Sequence, residues 1–132
     1  MSDYDRIKAE CYEANLLLPE FKLIDLTFGN VSVADPDRGV FAIKPSGVDY
    51  TQLTEGDIVV IDMEGQVVEG LLRPSSDTPT HRRLFQAFTG IRSIVHTHSR
   101  NAVALLNPGG AFHVSALRTP IIFMEKFQSP GR

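Results

Sequence analysis

Two histidines set two residues apart, in Ile94-Val95-His96-Thr97-His98-Ser99-Arg100, are the side chains best placed to do chemistry in this chain. The branched apolar pair before them suits a β-strand, on which side chains at i and i+2 share a face, about 6–7 Å apart. From such a support both rings reach one ion, and imidazole nitrogen suits zinc or another borderline divalent metal. Taken alone, the pair fits a solvated strand face equally well.

Three polar loops offer further groups. Pro74-Ser75-Ser76-Asp77-Thr78-Pro79-Thr80-His81 runs straight into a helical pattern. Hydroxyls and free backbone N–H groups at a helix start can hold a phosphate, and Asp77 can turn toward a metal or a substrate hydroxyl. Plain helix capping by Ser, Asp and Thr is the commoner use of such residues. Lys44-Pro45-Ser46-Gly47 supplies a cation and a glycine that lets an anion approach the backbone, and Gly29-Asn30 is a similar short turn. Each is also an ordinary turn sequence. His81, within the second helix, and His113 are expected at the surface or as satisfied core groups. Cys11 is expected in the core, and Asp57, Asp62 and Glu64 as solvated turn charges.

The elements that must position these residues are short. Ile7, Cys11, Ala14 and Leu18 recur at helical spacing, predicting a helix from about Asp3 to Leu17, ended by Pro19. Strand-like pieces follow at Leu23–Thr27, Val31–Ala34, Val40–Ile43, Ile58–Asp62 and Val67-Val68, separated by turn residues. Thr78 reads as the cap of a second helix with Pro79 at its first position. Leu84, Phe85 and Phe88 form its apolar stripe, and Gly90 follows its end. Ser93–His98 reads as a strand with Ile94, His96 and His98 on one face. Asn101–Leu106 suits a third helix start, and Asn107–Arg132 shows no clear periodicity. The sum is a mixed α/β domain with short antiparallel strands.

Composition narrows the class. At 132 residues, 42% hydrophobic and 22% charged, the chain has the makings of one packed domain. A net charge of −3 without a basic block argues against nucleic acid and anionic membranes as partners. The single cysteine, the acidic start and the lack of a long apolar run point to a cytoplasmic protein.

In order, Leu26-Thr27-Phe28-Gly29-Asn30-Val31-Ser32, Ile43-Lys44-Pro45-Ser46-Gly47-Val48-Asp49-Tyr50, the Pro74–His81 loop and the His-X-His strand resemble the class II aldolase family, within it most nearly the ribulose-phosphate 4-epimerase branch. The resemblance runs from the first helix to about Leu105. It implies a class II aldolase-like fold, a central mainly antiparallel sheet flanked by helices. It implies that Gly29, Asn30, Lys44, Ser46, Gly47, Ser75 and Ser76 contact a sugar-phosphate substrate, and that Asp77, His96 and His98 hold Zn2+. The implied reaction is retro-aldol cleavage and re-addition with inverted configuration, with zinc as Lewis acid. A class II aldolase of fuculose or rhamnulose phosphate type, or a non-enzymatic remnant, is the alternative. The family is a homotetramer with sites at subunit boundaries.

The family's third zinc histidine, its Gly-Thr-Thr-His-Ala-Asp-Tyr-Phe-Tyr-Gly motif with an acid/base Asp, and its acid/base Tyr have no match here. Back-translating Ala116–Arg132 with one permitted choice of codons, the wobble bases being free, and reading one base earlier recovers that motif: Gly-Thr-Thr-His-Ala-Asp-Tyr-Phe-Tyr-Gly-Glu-Ile-Pro-Val-Thr-Arg. Residues 1–105 are therefore expected to be the N-terminal part of the domain, and 106–132 an out-of-frame tail after a one-base loss near Ala104–Leu106. A site truncated in this way should bind zinc weakly and lack catalytic acid/base groups.

Overall fold

The computed structural model describes residues 3–22, 29–97 and the backbone of 121–124. Within these residues two helices pack on opposite faces of a six-stranded sheet. Helix α1 (Asp5–Glu20) buries Ile7, Cys11, Ala14 and Leu18, the stripe its sequence spacing predicts. It runs three residues beyond the expected end at Leu17, with Pro19 inside its last turn. A proline there forfeits only the bond to the carbonyl four residues back, and Phe21 N–H to Leu17 O (3.0 Å) and Lys22 N–H to Pro19 O (3.1 Å) close the turn instead.

The strands are β1 (Asn30–Asp35), β2 (Val40–Ile43), β3 (Val59–Asp62), β4 (Val67–Glu69), β5 (Ser93–His96) and β6 (Ile121–Met124). Their order is β4-β3-β2-β1-β5-β6, and every adjacent pair is antiparallel. β6 lies in the stretch expected to lack readable structure. Ile-Ile-Phe-Met is a short branched and aromatic run, and it pairs along the edge of β5 from Ser93↔Met124 to His96↔Ile121. The expected strand at Leu23–Thr27, the residues His98 and His113, and the expected helix at Asn101–Leu106 lie outside the described residues.

Alternation along the strands sorts the two cores. Val31, Val33, Val40, Ala42 and Val60 join α1, together with Tyr50, Leu53 and Ile58. Ala34, Phe41, Ile43, Val59, Ile61 and Ile94 line the other face with Phe85 of helix α2 (Thr78–Ala87), whose ring lies 5.3 Å from that of Phe41. The cap of α2 differs from the expectation. Asp77, not Thr78, is the N-cap residue, which moves Pro79 one position inward. The buried face of α2 is Thr78, His81 and Phe85; Leu84 is partly buried, and Phe88 ends the helix 47% exposed.

Buried Asn15 ties α1 to β1. Its Nδ2 donates to Cys11 O (2.7 Å) and Val31 O (2.9 Å), and its Oδ1 accepts from Val31 N–H (2.9 Å). The β2 register ends at Ser32↔Ile43, so Asn15 pairs a β1 residue that the neighbouring strand does not reach. Among the described residues no helix is long and apolar enough to cross a membrane.

Candidate functional site

Strand parity puts Asn30, Ser32 and Ala34 of β1, and Ile94 and His96 of β5, on the face that α2 covers. Asn30↔His96 is a paired position, so the two side chains start as neighbours. The N-terminus of α2 comes down over them. His96 Nδ1 lies 2.6 Å from Asp77 Oδ2, and Asn30 Nδ2 donates to the same carboxylate oxygen (3.0 Å) and to Ser75 Oγ (2.8 Å). The bond with His96 holds the Asp77 carboxyl below its ordinary pKa, against a smaller upward push from burial.

His81, four residues after Asp77 on α2, turns inward as well. It is 1% exposed, its Nδ1 lies 2.5 Å from Ser32 Oγ, and its Nε2 is buried without a hydrogen-bond partner. Burial lowers its pKa to about 4, although Asp77 pulls the other way. The expectation of a surface or satisfied-core histidine is therefore corrected: His81 is buried and only half satisfied. Ligand atoms of Asp77, His81 and His96 all lie within 4.8 Å of one another.

The Lys44–Gly47 and Ser75-Ser76 loops sit beside this cluster. Pro45 and Pro74 form an isolated antiparallel bridge, flanked by Ser46 N–H to Arg73 O (2.9 Å) and Ser75 N–H to Lys44 O (3.2 Å). These bonds hold Lys44–Gly47 against Arg73–Ser76. Gly47 has φ +73°, a left-handed backbone that glycine adopts without strain. Lys44 is 2% exposed, with Nζ 4.7 Å from the centre of the Tyr50 ring. Burial lowers the Lys44 pKa, partly offset by the charge of Asp49. Tyr50 donates its hydroxyl to Gly29 O (2.6 Å), anchoring the residue that precedes Asn30.

One cavity of about 370 Å³ is lined by Gly29, Asn30, Lys44, Ser46, Gly47, Ser75, Ser76, Asp77 and His96. Every candidate residue from the sequence that is described lines it; His98 alone lies outside the described residues. A larger hollow, about 420 Å³, lies between α1 and the turn after β1. Two of its arginines face acids, Arg6 with Glu10 and Arg38 with Asp35, and none of the motif residues lines it. Sequence reasoning missed His81, Ser32 and Tyr50. Two of them carried a signal: His81 is one helical turn from Asp77, and Ser32 shares strand parity with Asn30.

A carboxylate and imidazoles within reach of one ion, one of them with an orphaned buried nitrogen, form a donor set that fits a divalent metal such as zinc. The Lys44–Gly47 and Ser75-Ser76 loops lie alongside in the same cavity. Residues 9–118 match the class II aldolase and adducin N-terminal domain, and the chain belongs to that family. It is 47% identical over 106 residues to the L-ribulose-5-phosphate 4-epimerases of Salmonella paratyphi B and Salmonella typhi. That match covers 80% of this chain and 46% of each relative, so the chain spans about half their length. Among solved structures, an L-fuculose 1-phosphate aldolase superimposes with a TM-score of 0.70 at 38% identity, covering 80% of this chain and 49% of that one. The L-fuculose-1-phosphate aldolase of Thermus thermophilus gives 0.59 at 36% identity, covering 76% and 50%.

Proposed function

We propose that this chain carries the metal- and phosphate-holding half of a zinc-dependent L-ribulose-5-phosphate 4-epimerase site. The observation that carries the reading is the single cavity joining the Asp77–His96 pair to the Lys44–Gly47 and Ser75-Ser76 loops. In this reading the hydroxyls of Ser46, Ser75 and Ser76 and the N–H groups of Gly47 and Ser76 hold the substrate phosphate, and Lys44 supplies the balancing charge. Gly29 leaves room for the sugar, and Asn30 fixes the orientation of Asp77. Asp77, His96 and His98 would hold Zn2+, which when bound supplies Lewis-acid polarisation of the carbonyl oxygen. Anchoring the phosphate at one end and the carbonyl at the other confines the fragments on either side of the breaking bond.

The epimerase is favoured over the aldolase by the higher identity to the former, 47% against 38%. The family acid/base groups have no counterpart among the described residues. A cytoplasmic homotetramer goes with the family reading. So does an out-of-frame tail from Leu106, supported by the motif recoverable from Ala116–Arg132; coding DNA around Ala104 that needs no single-base change would refute that part.

Calorimetry tests the binding reading. Lys44→Met should weaken L-ribulose 5-phosphate by about ten-fold or more, the size of a lost charged hydrogen bond, and leave Zn2+ binding intact. Asp77→Ala should do the reverse. Tighter binding of L-fuculose 1-phosphate than of L-ribulose 5-phosphate would favour the aldolase, and indifference of both ligands to both substitutions would sink the proposal.

A further inference from the structure

We propose that Tyr50 is a positioning residue of the phosphate end of the cavity, its ring holding the Lys44 ammonium in place for the anion. This rests on the phosphate reading above and adds to it a residue that does not itself line the cavity. Lys44 is buried, yet among the described residues no carboxylate stands within ion-pair distance of it. Asp49, whose charge Lys44 feels, is exposed and has its carboxylate on the Thr51 N–H and hydroxyl, both at 2.8 Å. The Lys44 Nζ makes one long contact, 3.5 Å to Pro45 O, and stands 4.7 Å from the centre of the Tyr50 ring.

The loop supplies the ring by folding back under the lysine. Gly47 turns the chain after Lys44, and the Asp49 carbonyl accepts from the Gln52 and Leu53 N–H groups, both at 3.0 Å, which sets Tyr50 in a second turn. Tyr50 packs with Leu53 and Val48 in the core that α1 covers, so the ring is itself fixed. Its hydroxyl is tied to Gly29 O, and burial raises the phenol pKa, so that group stays a donor. A lysine stem is flexible and its head group strongly hydrated, so an unplaced ammonium loses rotamer freedom when it closes on a ligand. A ring face attracts the cation without cancelling its charge. A carboxylate in the same place would have to give way to the phosphate. The ring therefore leaves the ammonium placed and unneutralised at the wall it shares with Ser46, Gly47 and Ser75.

The test is a double-mutant cycle on the full chain, read by calorimetry with L-ribulose 5-phosphate, with Zn2+ affinity measured alongside and expected to stay constant. Tyr50→Leu should weaken the sugar phosphate by about ten-fold, the size of a desolvated cation–ring contact. Tyr50→Phe keeps the ring and should stay within about three-fold of the parent. Because Tyr50 acts through Lys44, Tyr50→Leu added to Lys44→Met should bind no more weakly than Lys44→Met alone. If the two losses add, if Tyr50→Leu binds like the parent, or if Tyr50→Phe loses as much as Tyr50→Leu, the inference falls and the phosphate reading of Lys44 stands. If Lys44→Met itself changes nothing, both fall. Should Tyr50→Leu not fold, as judged by circular dichroism, proton NMR of the parent and of Tyr50→Phe decides. In both, the ring face should shift the Lys44 ε-CH2 protons upfield, and unshifted protons would overturn the inference.

Discussion

Asn15→Ala should be among the most damaging single substitutions outside the cavity. The amide stands in for a missing strand partner: it bonds both the N–H and the C=O of Val31, a residue only 2% exposed. Truncation leaves the Val31 N–H with no partner, at a cost of about 1–3 kcal/mol. The Val31 carbonyl keeps a weak donor, the Cys11 thiol at 3.4 Å, so its loss is smaller, about 1 kcal/mol. The sum, about 2–4 kcal/mol, is a large share of the roughly 5–15 kcal/mol that stabilises a domain. In urea that corresponds to a midpoint lowered by about 1–4 M, for a slope of about 1–2 kcal/mol per M. Asn15→Asp is the sharper variant. It keeps the shape but sets a carboxylate oxygen against Cys11 O and Val31 O, where Nδ2 now donates. It should be less stable than Asn15→Ala at pH 7 and recover as the pH falls and the acid protonates. Chemical denaturation of both variants, with exposed Glu20→Ala as control, is the assay. An unfolding free energy for Asn15→Ala within about 0.5 kcal/mol of the parent would refute the reasoning, because surface changes produce effects of that size.

Acid should destabilise the metal-free protein through His81. Its folded pKa, about 4, lies below the ordinary 6.5, so the unfolded chain binds the proton first. Stability is therefore full above pH 6.5 and falls as pH drops toward 4, by up to about 3 kcal/mol; Asp77 facing the ring lessens the loss and His96 adds to it. His81→Gln should flatten that part of the stability profile, and an unchanged slope would contradict the assignment. Gly70→Ala should cost about 1–3 kcal/mol: φ is +126°, and a Cβ there would stand 3.2 Å from the Val59 Cα, a backbone atom that cannot move aside alone. A thermal midpoint matching the parent would show that β4 shifts freely.

Much of the site could be read from the residues. Gly29-Asn30, the Lys44–Gly47 loop, Ser75–Asp77 and His96 were each recognisable, because turn chemistry and a strand's two-residue period are local properties. Their order along the chain led to the family. β2 was legible to the residue, since a branched run between turn signals has few alternatives. The extent of α1 was not, because whether one proline ends a helix or sits in its last turn depends on what caps the next carbonyls.

Residue types and spacing determined, by themselves, an α/β domain, a candidate metal strand and the polar loops that could accompany it. Only the tertiary structure decided which of these meet. It brought residues from positions 29 to 96 to one cavity, and turned Asn15 into a backbone partner for β1. It also made His81, which sequence alone assigned to a satisfied core or to the surface, a buried ring with one nitrogen unanswered beside Asp77 and His96. The reason is physical: spacing along the chain says which face a side chain is on, whereas burial and pairing are settled by the neighbours that face happens to receive.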